Sequence, residues 1–318
     1  MDKLQQNILA WFASNSRDLP WRKTYSPYHI WISEIMLQQT QMDRVVAYFK
    51  KWIKRFPGIE SITGASEDEV LKLWEGLGYY SRARNIIKTA KRLIDDYDGV
   101  LPADHKELMG LPGIGPYTAG AILSIAFNRG YPLVDANIER LFARLFNLDK
   151  PVKDKNTHAF IWEKASELIP QGKARDFNQA LMELGALVCI PQNPRCKICP
   201  IRTDCLAFSL DLVSERPVLT KPPKTIFIEM ATGIVEHNGK ILIQKRKPTG
   251  VWANLWEFPG GRLEPGETPE IALVREYLEE TELAVGNLKK ITTVQHSYTI
   301  YRVTLHCYFC SLLDGRYE

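Results

Sequence analysis

Residues 214–225 read SERPVLTKPPKT, with three prolines and no apolar periodicity, and the texture of the chain differs on either side of them. Such a stretch continues neither a helix nor a central strand, so it is a linker between units that each bury their own core. Before it, apolar residues recur at three- and four-residue spacing in HIWISEIMLQQT, RVVAYFKKWIKRF, RARNIIKTAKRLIDDY, NIERLFARLF and FNQALMELGALV. That is the α-helical period, and it predicts an all-α domain over residues 1–213. SEDEVLKLW adds a capping box, Ser66 with Glu69. After the linker, TIFIEMATGIVEH, an Asn238-Gly239 turn and KILIQKR predict a β-hairpin. A helical pattern at 268–281 and strands in KKITTVQHSYTIYRVTLHCYFCSLL then make 226–318 an α+β domain. Its end at DGRYE, just after a strand, suggests a domain cut short at its C-terminus.

At 318 residues the chain is long enough for two cores. No apolar run approaches a membrane span, and MDKLQQNILAWFASNS reads as an amphipathic helix rather than a signal peptide, so a cytoplasmic monomer is expected. Residues 1–213 hold 28 Lys and Arg against 24 Asp and Glu, while 214–318 hold 13 of each. The basic excess lies in the helical part, where clusters such as FKKWIKRF and YYSRARNIIKTAKR permit nucleic-acid binding.

Cys189, Cys196, Cys199 and Cys205 are spaced C-x6-C-x2-C-x5-C within 17 residues. Four thiolates gathered by proline-containing turns suit an iron–sulfur cluster or tetrahedral zinc, and spacing alone leaves both open. Cys307 and Cys310 lie in a strand pattern that points them to opposite faces, so packing accounts for them. Upstream, LPGIGPYTAG places Gly113 and Gly115 before a helix, a turn through which backbone N–H groups approach a phosphate. Glu34, in IWISEIMLQQT, has apolar neighbours on both sides and is a candidate for burial. Lifting a carboxyl from ~4.3 to neutrality takes roughly 3.7 kcal/mol, which an enclosed pocket can supply.

The cysteine box, the L-P-G-x-G turn and the following VDANIER together resemble the endonuclease III and MutY group of helix-hairpin-helix DNA glycosylases over residues 1–210. The resemblance implies a [4Fe–4S] cluster on the four cysteines, which shapes a basic loop for DNA. It puts Asp135 in the place of the catalytic aspartate. Lyase members carry a lysine where this chain has Tyr117, and a phenol cannot form a Schiff base, so base removal is expected to stop at an abasic site. The SE-x-MLQQT match to MutY makes Glu34 the acid that protonates adenine at N7, with Asp135, Tyr117 and Asn137 stabilising the oxocarbenium-like sugar. It also implies DNA or lesion contacts at Arg22, Leu37, Gln39 and Tyr79, with side chains filling the gap left by a flipped base.

The stretch GGRLEPGETPEIALVREYLEETEL nearly completes G-x5-E-x7-R-E-U-x-E-E-x-G-U, through Gly261, Glu267, Arg275, Glu276, Glu279, Glu280 and Leu283. Helical spacing puts Glu276, Glu279 and Glu280 on one face to bind Mg²⁺, and Ile271, Val274 and Leu278 on another that anchors the helix. With VWANLWEFPGG before it, this resembles the Nudix family of MutT, the 8-oxo-dGTP pyrophosphatase, and hence the MutT-like domain by which MutY recognises 8-oxoguanine. Tyr277 stands where that pattern has an aliphatic, and Glu282 where it has glycine. The family's Phe-Ser-His lesion contact aligns with Tyr298, Thr299 and Ile300, so the histidine is missing. The chain is therefore expected to act on double-stranded DNA, removing adenine opposite 8-oxoguanine or guanine. Alternatives are a protein that also hydrolyses 8-oxo-dGTP, a glycosylase for another mismatch, an endonuclease III-like lyase, a DNA-tethered Nudix hydrolase, and a DNA-binding protein without catalysis.

Overall fold

The structure is a computed structural model that describes residues 1–220, 224–247 and 254–315. Parts of the linker stretch and of VWANLWEFPGG lie outside the described residues. The chain divides into two compact units, Met1–Thr220 and Lys221–Glu318. No helix among the described residues is long and apolar enough to cross a membrane.

The first unit is helical. Its central helix, α1 (Pro27–Leu37), starts with proline at its first turn and is buried on every side: Tyr28 and all residues from Ile30 to Met36 are below the surface. A helix apolar all round must be surrounded, and Glu34 is carried into the interior with it. Further core comes from the fully buried rings of Trp31, Trp52, Trp74, Phe142 and Phe177. The helices that complete the site are α2 (Ser81–Tyr97), α3 (Pro116–Ala121), α4 (Ala136–Leu145) and α5 (Ala174–Leu187). Ser66 caps the helix Glu67–Trp74 by accepting from Glu69 N, but the Glu69 carboxylate turns to Arg55 rather than completing a capping box.

Two close backbone approaches fix these helices. A Cβ on Gly120 would meet the Pro132 carbonyl oxygen at 2.1 Å, so α3 and the one π turn after it, Ile122–Ala126, lie directly against the segment leading to Asp135. A Cβ on Gly185 would meet Asn137 Cβ at 2.6 Å and its carbonyl oxygen at 2.9 Å, so α5 touches the start of α4 backbone to backbone.

In the second unit β1 (Ile226–His237) pairs in parallel with β4 (Tyr301–Asp314), from Ile226 opposite Tyr301 to Val235 opposite Cys310. β3 (Ala284–Tyr298) lies antiparallel to β4, and β2 (Gly260–Arg262) antiparallel to β1. Asn238 and Gly239, at φ 52° and 73°, make the tight turn of the expected hairpin, whose return strand pairs at Lys240–Ile241. The helix α6 (Pro269–Thr281) covers the sheet, but not with the expected face. Ile271, Val274 and Leu278 are 57%, 39% and 55% exposed, while Ala272, Leu273 and Tyr277 are buried. Leu273 and Tyr277 share a core with Ala231, Val235, Val285, Tyr308 and Cys310. The tyrosine fits because position 233 is glycine: a Cβ there would meet Cys310 Sγ at 2.6 Å and the Tyr277 ring at 3.0 Å. Its hydroxyl donates to the Gly233 carbonyl at 2.8 Å.

Gly185→Ala should lower stability by about 1–3 kcal/mol through overpacking against Asn137. Gly130→Ala, whose Cβ would meet nothing within 4 Å, should stay within about 0.5 kcal/mol of the parent. Thermal melts of the two variants check this.

Candidate active site

One cavity of about 810 Å³ in the helical unit is lined by Glu34 from α1, Tyr117 from α3, Asp135 and Asn137 at the start of α4, and Gln179 and Glu183 from α5. Arg17, Arg22, Leu37, Gln39, Gly115 and Lys153 also face it. Tyr79 and Gly113 are not among its lining residues. Gly113 lies in the turn before α3 at φ 76°, where a Cβ would meet Asn85 at 2.7 Å.

Glu34 is 3% exposed and accepts from the Tyr117 hydroxyl at 2.5 Å. Burial pushes its carboxyl up to about 7; the tyrosine bond and Arg22 oppose the shift, and Asp135 adds to it. The Tyr117 hydroxyl is itself held well above its ordinary value, by burial and by the neighbouring carboxyls. Asp135 is the N-cap of α4: it accepts from Asn137 N at 3.0 Å, Ile138 N at 2.8 Å and Asn137 Nδ2 at 2.7 Å. Burial raises its carboxyl, and these donors hold it back. Asn137 is in turn fixed by Arg140, whose guanidinium also donates to the carbonyls of Gly185 and Cys189.

The sequence reading passed over Glu183 and Gln179. Glu183 is 1% exposed and accepts from Arg17 and Arg22 through both oxygens, while Gln179 accepts from Arg22 Nε at 2.9 Å. Burial would raise the Glu183 carboxyl, but the two guanidiniums bring it down to about 2. The signal was present: both residues stand in the largely apolar pattern FNQALMELGALV, four positions apart. The cavity thus holds one carboxyl that keeps its proton to neutral pH and another locked as an anion. A protonated carboxyl beside a hydrogen-bonded carboxylate is equipment for general-acid chemistry.

The four box cysteines line one small cavity with Leu141, Val188, Ile201 and Phe208. Among the described residues no carboxylate lines it, while Arg144 and Arg202 do. Arg144 Nη1 lies 3.4 Å from Cys189 Sγ and donates to the Ile190 carbonyl at 2.8 Å. Burial raises the thiols of Cys196, Cys199 and Cys205, that of Cys199 to about 11, so thiolate formation there calls for a bound cation. Four soft sulfur donors with two guanidiniums nearby fit an anionic metal–thiolate group.

In the second unit Arg275 gathers the glutamates. It donates to both oxygens of Glu267 at 2.8 and 3.0 Å, to Glu276 at 3.1 Å and to Glu279 at 3.2 Å. Glu280 accepts from Gln244 at 2.6 Å and Gly260 N at 3.1 Å. Glu276, Glu279 and Glu280 each retain an oxygen that these bonds do not use, a hard-oxygen set of the kind Mg²⁺ takes. As they stand, no three His, Cys, Asp or Glu side chains among the described residues, the box thiols included, are drawn together closely enough to hold an ion, so both donor sets suit their groups by chemistry and not by spacing. Tyr298 lines a separate cleft of about 560 Å³ with Phe258, Arg262 and His296, and Thr299 sits in the β3–β4 turn at φ 51°.

Comparison with known proteins places both units. Residues 32–167 match the HhH-GPD superfamily of base excision DNA repair proteins, and 230–318 match the NUDIX domain. An adenine DNA glycosylase of Buchnera aphidicola subsp. Baizongia pistaciae is 39% identical over 80% of this chain and 72% of its own length. One from Rattus norvegicus is 33% identical over 97% of this chain and 70% of its own. Among solved structures, a thermostable thymine-DNA glycosylase superposes with a TM-score of 0.60 at 33% identity, over 65% of this chain and 95% of that one. A non-covalent endonuclease III–DNA complex gives 0.56 at 25%, over 65% and 94%. With such relatives over most of its length, and a helix-hairpin-helix unit followed by a Nudix unit, this chain belongs to the adenine DNA glycosylase family.

Proposed function

We propose that the chain removes adenine mispaired with 8-oxoguanine, and less efficiently with guanine, from double-stranded DNA by hydrolysis of the N-glycosidic bond. The observation that carries this reading is the Glu34 carboxyl, buried against Tyr117 and raised to about 7 in the cavity that also holds Asp135. The adenine glycosylase relatives supply the base. Glu34 gives its proton to N7, which turns the base into a neutral leaving group. Asp135, with Asn137 and Tyr117 around it, stabilises the positive charge that develops on the sugar. Arg22, anchored by Glu183, faces the extruded nucleotide; Gln39 and Tyr79 fill its place in the stack, Leu37 meets the DNA from the cavity wall it shares with Gln39, and Gly113 and Gly115 meet the phosphates. The enzyme is monofunctional because position 117 offers a phenol and not an amine. It works as a cytoplasmic monomer.

Cys189, Cys196, Cys199 and Cys205 hold a [4Fe–4S] cluster, which when bound ties the loop into one shape for DNA. The second unit reads the base opposite the adenine, with Tyr298 and Thr299 at its cleft. The complete glutamate set favours a second reading in which Glu267, Glu276, Glu279 and Glu280 bind Mg²⁺ for hydrolysis of 8-oxo-dGTP. Incubation with 8-oxo-dGTP and Mg²⁺ or Mn²⁺ tests it: 8-oxo-dGMP and pyrophosphate that disappear in Glu279→Gln support it, and no product alongside intact adenine release leaves a reading head.

On duplexes with adenine opposite 8-oxoguanine, strand breaks should appear only after hot alkali and persist in EDTA. Efficient cleavage without alkali would refute the monofunctional reading, and a panel of mismatches separates adenine from thymine as target. The excision rate should fall about tenfold per pH unit above pH 7, as Glu34 loses its proton. The same shift acts on stability. A carboxyl whose folded value is raised favours the fold below its ordinary value near 4.5, and that contribution is lost as pH rises through about 7. Glu34→Gln should therefore abolish excision yet gain on the parent by up to about 3 kcal/mol between pH 4.5 and pH 8, as read from denaturant melts.

A further inference from the structure

Arg82, the second residue of α2, is 8% exposed, and the guanidinium reaches five main-chain carbonyls. Nη1 donates to Ile35 at 2.8 Å, Met36 at 3.2 Å and Gln38 at 2.6 Å. Nη2 donates to Leu77 at 2.9 Å and Gly78 at 3.1 Å. The rings of Trp74 and Tyr79 lie beside it, with centroids 5.3 and 5.6 Å from Cζ. Among the described residues no carboxylate forms an ion pair with it, so carbonyl dipoles are the main counterweight to its charge.

The carbonyls it selects belong to three places. Ile35 and Met36 are in the last turn of α1, where helical carbonyls lack intrahelical partners and the helix dipole favours a cation. The Gln38 carbonyl belongs to the peptide entering Gln39, and the Gly78 carbonyl to the peptide entering Tyr79. Both Gln39 and Tyr79 are non-glycine residues in the left-handed region, at φ 56° and 48°. A conformation of that kind persists only where its surroundings over-determine it, and here one planar fork orients the peptide before each.

We propose that Arg82 is a positioning residue for base extrusion: it holds Gln39 and Tyr79 in register with each other and with the end of the helix that carries Glu34. This rests on the proposed adenine excision and on the part given there to Gln39 and Tyr79. Lysine at position 82 keeps the charge but concentrates its donors on one atom, so it cannot span both loops.

The test uses the full chain. In a Glu34→Gln background, which binds without cutting, 2-aminopurine placed beside the target adenine should brighten on binding as the stack opens. Adding Arg82→Lys should remove most of that rise while the protein still binds. With Glu34 present, Arg82→Lys should lower single-turnover excision by about 10²-fold, the cost of misplacement rather than of lost chemistry, and leave the pH of the rate inflection where it is in the parent. Tyr79→Ala should lose a similar part of the fluorescence rise, and the double variant little more, as expected of residues acting as a unit. Where Arg82→Lys melts below assay temperature, Gly78→Ala disturbs one of the clamped peptides without removing the guanidinium, and should also lower the rise. Excision within twofold of the parent, a lost rate with the fluorescence rise intact, or additive losses in the double variant would overturn the proposal. A parent chain that releases no adenine overturns the proposed function itself, a distinct result because it appears before Arg82 is touched.

Discussion

The site depends on keeping a proton on a carboxyl whose cavity is also lined by two arginines. Glu34 enters the interior because α1 is apolar around its whole circumference, and burial alone would make it a weak acid. Arg22 faces the same cavity and, placed against Glu34, would draw the proton off. Glu183 prevents this. Its two oxygens engage Arg17 and Arg22, and Gln179 takes the Nε of Arg22. Two carboxyls in one cavity are thereby driven apart, to about 7 and about 2. That separation suits one to donate a proton and the other to hold a cation still. The desolvation of Glu183 is offset only because it is doubly paired, so truncating it would release both guanidiniums into the cavity.

Buried and half-buried guanidiniums recur as fasteners for main chain that has no regular partner. Arg82 ties together the ends of two loops, Arg140 links Asn137 to the carbonyls of Gly185 and Cys189, and Arg144 links the cysteine loop to the carbonyl of Arg216. Loops carry most of the proposed DNA contacts, and a loop inside a helical unit cannot satisfy its carbonyls by strand pairing. An arginine fork satisfies several at once and sets their relative directions, which an apolar contact would not do. Gly120 and Gly185 act beside these forks. They let α3 and α5 approach the segment around Asp135 without a side chain between, so the forks need span only short distances.

Much of this was legible in the sequence. Glu34, Tyr117, Asp135 and Asn137 are brought to one cavity, and the four cysteines to another. Both sets were readable because their residue types are rare at those spacings and serve no surface purpose. Glu183, Gln179 and Arg82 were not read, since a polar residue in a helical pattern looks like the solvent face until the neighbouring helix is known. The same limit misplaced the buried face of α6. Periodicity offered two apolar stripes, Ile271–Val274–Leu278 and Leu273–Tyr277. The choice fell to the sheet, where Gly233 leaves room for an aromatic ring. Tyr277 looked like a flaw in a family pattern because its partner lies 44 residues away.

That pairing bears on the glutamates themselves. Glu276 adjoins Tyr277, and its carboxylate packs so closely on β2 that a Cβ at Gly261 would meet it at 2.2 Å. The rotation of α6 about its axis is therefore fixed from the core side, by a ring that needs Gly233, and the Glu276 carboxylate rests on Gly261 in the position that rotation gives it. Arg275 then draws Glu267, Glu276 and Glu279 together from a position already set. The placement of the glutamates thus follows from the core beneath α6, through Tyr277 and Gly233, and from the Arg275 fork beside them.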